Sequence, residues 1–368
     1  MLKLLIAVIG TLPWLVASTA GPVEPSQASR LPEDYSTVRG ITISCQSNGR
    51  EWGRPEFGLE VERLAEFGVN WVAIHPYARI NSDGRVTWSP LDPENPPAHL
   101  AGAVAAARER GVAILVKPHL AYWGSPFSWR GEIRFDDEEE VERFRETYAE
   151  WILSVAEICS DADGFVVGTE LEGFQGSRDE AFWRDLIAGV RERTDAQLTY
   201  AANWPVYRKV RFWDALDCIG IQAYFPLAGE GADLTGDAGR ARLVKGWAPW
   251  IADIKKLSES TGKPVVFTEL GYDACSSAAH EPWVGRGRQG RRRPTPTDEE
   301  RALQELCLDV AFEIMDENSQ WLRGALLWKW FVGPAPGADF VIDRPAVIDL
   351  LREHYLAPAP NQSSSSSK

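Results

Sequence analysis

Gly164-Phe165-Val166-Val167-Gly168-Thr169-Glu170-Leu171 and Pro264-Val265-Val266-Phe267-Thr268-Glu269-Leu270-Gly271-Tyr272 are the two stretches that decide how this chain folds. Each is a short, nearly continuous apolar run that closes on Thr-Glu-Leu. A run without polar alternation is the mark of a strand covered on both faces, as in a parallel sheet wrapped by helices. Six further runs read the same way: 40–45, 70–75, 112–119, 197–203, 218–224 and 325–331. Eight buried strands are therefore expected.

The segments between them carry helical signals. Residues 57–67 end at Gly68, and the alanine-rich stretch 99–110 ends at Gly111; both glycines suit a helix C-terminus. Over 136–159, Val141, Phe144, Tyr148, Trp151, Ile152, Val155 and Ile158 fall on one helical stripe, and the acidic opening suits the helix dipole. Segments 180–193, 247–260 and 298–317 complete the pattern. Strand and helix in alternation predict a single-domain α/β fold, the (β/α)8 TIM barrel, over residues 38–356. Long connections follow the strands at 76–97, 120–135, 225–242 and 273–297, where a barrel builds its functional face. The last of these carries Arg286, Arg288, Arg291, Arg292 and Arg293, read as a solvated loop or as a contact for an anionic group.

Composition narrows the chemistry. The 368 residues carry a formal charge of −14, which argues against a nucleic-acid partner, because phosphate binding needs a basic face. Sixteen tryptophans stand out; indole faces stack on sugar rings, although large aromatics also fill cores. Residues 1–20 read as a secretory signal peptide: Lys3, an apolar stretch, then Ala17-Ser18-Thr19-Ala20. Export to the periplasm or medium is expected, with no stable membrane partner after cleavage. Residues 21–37 read as a flexible lead-in and 357–368 as a serine-rich tail. Five cysteines at irregular spacing imply neither a zinc motif nor a disulfide framework, although one bridge stays open.

Glu170 and Glu269 end strands four and seven of eight. In a barrel both then face the mouth, and two carboxylates there are what glycoside hydrolysis uses. Glu172 is a local competitor, two residues further on. Tyr224, at the end of strand six, is placed to hydrogen-bond Glu269. Other strand-end groups are candidates for substrate binding: His75, Lys117, His119, Asn203 and Trp204. Trp328 and Trp330 lie two apart on strand eight and are expected to face the same side, one of them as a sugar platform. His75, His119 and a carboxylate could be imagined around a metal, but no ligand spacing supports it. No metal or cofactor is expected.

The segments Val167-Gly168-Thr169-Glu170-Leu171, Gly220-Ile221-Gln222-Ala223-Tyr224-Phe225-Pro226-Leu227 and Phe267-Thr268-Glu269-Leu270-Gly271-Tyr272 together resemble glycoside hydrolase family 113, the β-mannanases, within the large clan A of retaining glycosidases. The resemblance spans roughly residues 38–356. It implies Glu170 as acid/base and Glu269 as nucleophile. Much of the clan has Asn before the acid/base; this chain has Thr169, which leaves the usual contact to the sugar 2-hydroxyl unassigned. The expected function is a secreted, monomeric retaining hydrolase of a β-1,4-linked polysaccharide such as mannan or glucomannan. A β-glucanase, an exo-acting relative, a catalytically silent carbohydrate-binding barrel and a metal-dependent barrel hydrolase are the alternatives.

Overall fold

A computed structural model describes residues 37–286 and 295–356. The expected signal peptide, nearly all of the lead-in, the tail and Arg288, Arg291, Arg292 and Arg293 lie outside the described residues. Eight strands form a closed barrel: β1 (Val38–Ser44), β2 (Trp71–Ile74), β3 (Ala113–Val116), β4 (Gly164–Thr169), β5 (Gln197–Asn203), β6 (Ile219–Gln222), β7 (Val265–Leu270) and β8 (Leu322–Phe331). Around the barrel the order is β1-β8-β7-β6-β5-β4-β3-β2, every neighbouring pair parallel. The fold is thus the expected (β/α)8 barrel.

Among the described residues seven α-helices lie outside it: α1 (Pro55–Ala65), α2 (Ala103–Arg108), α3 (Glu138–Ile158), α4 (Glu180–Arg191), α5 (Gly236–Thr261), α6 (Asp298–Glu317) and α7 (Pro345–Tyr355). Two cores result. Alternate strand residues such as Trp71, Leu115, Val166, Ala201, Val266 and Leu326 fill the barrel interior. The other strand face packs on the helices, and the whole predicted stripe of α3 is buried there. Helix ends are locally encoded. Asp137 accepts from the Glu139 amide at the start of α3, and Thr297 and Glu300 form a reciprocal capping box on α6. Gly168 matters for position: a Cβ there would come within 2.5 Å of the Trp183 ring, so only glycine lets this part of β4 lie against α4.

Three features differ from expectation. Between β5 and β6 there is no α-helix, only single 3-10 turns at Tyr207–Lys209 and Trp213–Ala215. Helix α5 starts at Gly236, eleven residues before its predicted start, and runs through Pro249 to Gly262 in the left-handed region. The third strand stops at Val116, and His119 does not end it. Pro118 has no N–H to donate to the ladder, and His119–Ala121 joins a separate small sheet with Tyr77–Ile80 and Val86–Thr87. That sheet folds over the mouth beside β2 and β3. All five cysteines are free thiols, so the open bridge is not formed. Among the described residues no helix is long and apolar enough to cross a membrane.

Candidate active site

Strands β4 and β7 deliver their glutamates by the same device. Val166 and Thr169 of β4 oppose Thr199 and Ala201 of β5, and Phe267 and Glu269 of β7 oppose Ile221 and Gln222 of β6. Each catalytic-candidate strand therefore carries one extra residue just before its glutamate. Such bulges re-aim side chains at barrel rims. Each preceding threonine is tied to a neighbour: Thr169 Oγ1 donates to the Pro118 carbonyl at 3.1 Å and Thr268 Oγ1 to Gln222 Oε1 at 3.2 Å.

Glu269 is buried, and both of its oxygens are held. Lys117 Nζ donates to Oε1, and to the Thr268 carbonyl at 3.0 Å; Tyr224 OH donates to Oε2 at 2.7 Å. Burial pushes this carboxyl up, but the Lys117 charge and the two hydrogen bonds outweigh it and hold Glu269 below its ordinary value. Burial, with Glu269 beside it, raises the Tyr224 phenol well above its usual range, so its hydroxyl stays a donor. Burial draws the Lys117 ammonium down while Glu269 opposes that.

Glu170 has a different setting. It adopts φ 54°, the left-handed region that non-glycine residues seldom occupy, and such strain concentrates at functional positions. Arg130 holds one oxygen: Nη2 lies 2.7 Å and Nε 3.2 Å from Oε2, and among the described residues Oε1 accepts no hydrogen bond. Burial lowers the Arg130 guanidinium, but the charge of Glu170, with that of Glu269 behind it, more than restores it. Arg130 is the functional candidate that sequence reasoning missed. It sits in the 120–135 connection, and only the length of that connection signals it. Glu172, in the next 3-10 turn, accepts from Asn203 Nδ2 at 3.0 Å; burial raises it, the Asn203 bond opposes, and Glu170 adds to the rise.

The remaining candidates divide. His75 and His119 are buried and stack at 5.1 Å, and both pack on Trp328, at 5.3 and 6.2 Å. His75 Nε2 is 3.1 Å from Ser44 Oγ. His119 Nε2 has no hydrogen-bond partner among the described residues and lies 3.8 Å from Glu269 Oε1. Burial, then nearby cations, depress both imidazoles well below their ordinary value, so both are neutral. Trp328 also lies under the Lys117 ammonium, the group that holds Glu269, at 5.1 Å. Trp330 does not share that side. It is fully buried, packs on Phe67 and Arg63, and donates to Glu60 of α1. The cause is a third bulge: Ile41 and Ile43 of β1 oppose Leu327 and Trp330, one residue too many on β8, which breaks the alternation. The Trp328–Lys329 peptide within it is cis. Trp204 stacks on the partly exposed Trp283 at 5.3 Å, beyond Asn203. Arg286 is not solvated: its guanidinium pairs with the buried Asp273 at 3.1 Å. Among the described residues no three His, Cys, Asp or Glu side chains converge as a metal site.

This arrangement pairs a fixed carboxylate with a second one reaching the same mouth, flanked by aromatic surfaces. Solved structures share this barrel. The β-mannanase of Alicyclobacillus acidocaldarius, in complex with ManMIm, superposes with a TM-score of 0.71 at 25% identity, covering 87% of this chain and 97% of that one. A second family 113 β-1,4-mannanase gives 0.71 at 21% identity over 88% and 99%. A family 5 mannosidase from Rhizomucor miehei gives 0.61 at 11% identity over 87% and 92% and shares the fold. No curated protein matches by sequence. The family model for Glycoside Hydrolase Family 113 matches residues 41–336. With most of its length matched and its carboxylates at the barrel mouth, the chain belongs to glycoside hydrolase family 113.

Proposed function

We propose that this glycoside hydrolase is a retaining, endo-acting β-1,4-mannanase, with Glu269 as nucleophile and Glu170 as acid/base. One observation carries the assignment of roles. Glu269 is buried yet kept ionised by Lys117 and Tyr224, which is what an attacking carboxylate needs, whereas Glu170 keeps one oxygen free of hydrogen bonds. Glu269 attacks the anomeric carbon and the bond to the leaving oxygen breaks, while Glu170 passes its proton to that oxygen. A covalent glycosyl ester remains. Water then attacks the same carbon, its proton goes to Glu170, and Glu269 leaves as a carboxylate. Two inversions restore the β configuration. Trp328 supports the reacting ring, and neutral His119 offers its unpaired nitrogen to a sugar hydroxyl beside Glu269.

The sugar rests on the family and on the β-mannanases it contains. Purified protein is expected to release reducing ends from mannan and glucomannan, with a β-anomer as first product by NMR. Turnover of barley β-glucan or xylan with none of mannan would redirect the assignment to a β-glucanase or related activity. We also propose export, on the strength of residues 1–20. N-terminal sequencing from a secreting host should then begin near Gly21, and an intact Met1 would refute it.

A further inference from the structure

Glu170 takes its left-handed backbone, φ 54°, at the point where the chain leaves the β4 ladder. Its own amide still donates to the Ala201 carbonyl of β5 at 2.9 Å. The next amide, that of the buried Leu171, turns away from the ladder, and its acceptor is a side chain: the Tyr200 hydroxyl, at 2.9 Å. In the matching Thr-Glu-Leu of β7, Leu270 instead remains in the strand, opposite Leu327 of β8. A buried amide needs an acceptor. A left-handed residue other than glycine persists only where its surroundings over-determine it. Tyr200 meets the first need and contributes to the second.

Tyr200 is itself fixed. It is fully buried in the outer core, whereas its neighbour Ala201 fills the barrel interior. Trp183 of α4 and Phe212 meet its ring edge-on, at 5.2 and 5.4 Å. Its hydroxyl donates to Gln175 Oε1 at 3.4 Å, and Gln175 Nε2 donates to the Val206 carbonyl at 3.3 Å. Burial raises the phenol well above its usual range, so it keeps the proton it offers to Gln175. The Trp183 indole donates to the Phe174 carbonyl at 2.6 Å. A Cβ at Gly168 would come within 2.5 Å of Trp183 and 2.8 Å of Tyr200, so the three pieces of chain are locked together behind Glu170. We propose that Tyr200 is a positioning residue for Glu170: through the Leu171 amide it holds the left-handed backbone that aims the carboxyl at the leaving-group oxygen, and it does not touch the substrate. The proposal rests on the acid/base reading of Glu170 and deepens it. Arg130 grips the carboxylate from the loop, and Tyr200 fixes the main chain from behind.

The test is a series of aryl β-mannosides, from dinitrophenyl to phenyl leaving groups, on wild type, Tyr200→Phe, Glu170→Ala and the double variant. The quantity read is kcat/KM, which reports the step in which the aryl group departs. Poor leaving groups need the acid in that step and good ones do not. Tyr200→Phe keeps the ring and its packing and removes the hydroxyl. It should lose about 10–100-fold on the phenyl glycoside and under about threefold on the dinitrophenyl one. In the Glu170→Ala background the same substitution should cost less than about twofold on either, because its effect runs through Glu170. Equal losses along the series, or the same loss with and without Glu170, would make Tyr200 a purely structural residue and overturn the proposal. If Tyr200→Phe folds too poorly to assay, Gln175→Leu, which removes the acceptor of the Tyr200 proton, should show the same dependence in weaker form, and a flat series there overturns the proposal as well. The two readings fail in different ways. Losses in Glu170→Ala that ignore the leaving group sink the acid/base reading and the proposal with it. Leaving-group dependence in Glu170→Ala with none in Tyr200→Phe sinks the role of Tyr200 alone.

Discussion

The ends of strands β4 and β7 carry the same tripeptide, Thr-Glu-Leu, behind the same kind of buried run and the same kind of bulge, yet their glutamates meet opposite surroundings. Glu269 stays within the strand, buried, with both oxygens held by Lys117 and Tyr224, which stand just past the ends of β3 and β6. Glu170 leaves its strand with a left-handed backbone and meets Arg130, from a loop, through one oxygen. Local sequence therefore sets where a carboxylate stands, and barrel closure sets what it can do. One is wired to the barrel wall as a fixed anion. The other is held from the loop side, by Arg130.

The largest expected effect breaks this contrast outright. Removal of the fixed anion in Glu269→Ala should lower kcat on every substrate by on the order of 10⁴–10⁶-fold. Azide should restore turnover by occupying the vacated space, with a product of inverted configuration. Glu170→Ala should behave differently. Polysaccharide cleavage should collapse, while aryl glycosides with good leaving groups, which need no acid, keep measurable turnover. Equal losses on both substrate types would erase the distinction between the two glutamates.

Tyr224→Phe sharpens the contrast at one bond. It removes the hydroxyl 2.7 Å from Glu269 Oε2 and leaves the ring in place. One such donor is worth about 2–4 kcal/mol at a transition state, so kcat should fall roughly 10²–10³-fold with little change in KM. A change confined to KM would make Tyr224 a sugar contact instead.

The smallest effect lies on the far side of the molecule, where charge serves stability alone. His354 of α7 bridges Asp309 at 2.9 Å and Asp316 at 3.5 Å on α6. Burial lowers this imidazole, but the two carboxylates win and raise it above 6.5. A raised histidine stabilises the fold fully below its unfolded value near 6.5 and loses that contribution as pH climbs through the folded value. His354→Gln should therefore cost about 0.5–1 kcal/mol near pH 6, a melting shift of roughly 1–3 °C, and almost nothing near pH 9. Thermal melts at the two pH values check it; a difference independent of pH would mean that His354 acts by packing, for which its stacking on Phe312 at 4.7 Å is available.

What could be read from the sequence follows the same divide. The strands, both glutamates and Tyr224 are local: an apolar run ending in a polar group implies a strand end, and strand ends share one face of a barrel. The α3 stripe and its acidic start were legible for the same reason. Arg130 was not, because nothing in its neighbourhood announces that its loop folds back to Glu170. Trp330 was misread because alternation holds only without a bulge, and the extra residue on β8 can be seen only against β1. His119 was assigned to a barrel strand because Pro118, which ends the ladder, sits inside an otherwise continuous apolar run. The missing helix after β5 is replaced by turns anchored through tertiary contacts, such as the Tyr207 hydroxyl donating to Asp253 of α5.

The division of labour between the two glutamates is tested most directly by trapping the intermediate. A 2-deoxy-2-fluoro-β-mannoside with a good leaving group should inactivate the enzyme in proportion to time, because the fluorine slows hydrolysis of the ester more than its formation. Mass spectrometry of the digested protein should then place one fluoromannosyl unit on Glu269, and on no other residue. A label on Glu170, or no covalent label together with an α-configured first product from wild type, would contradict the account.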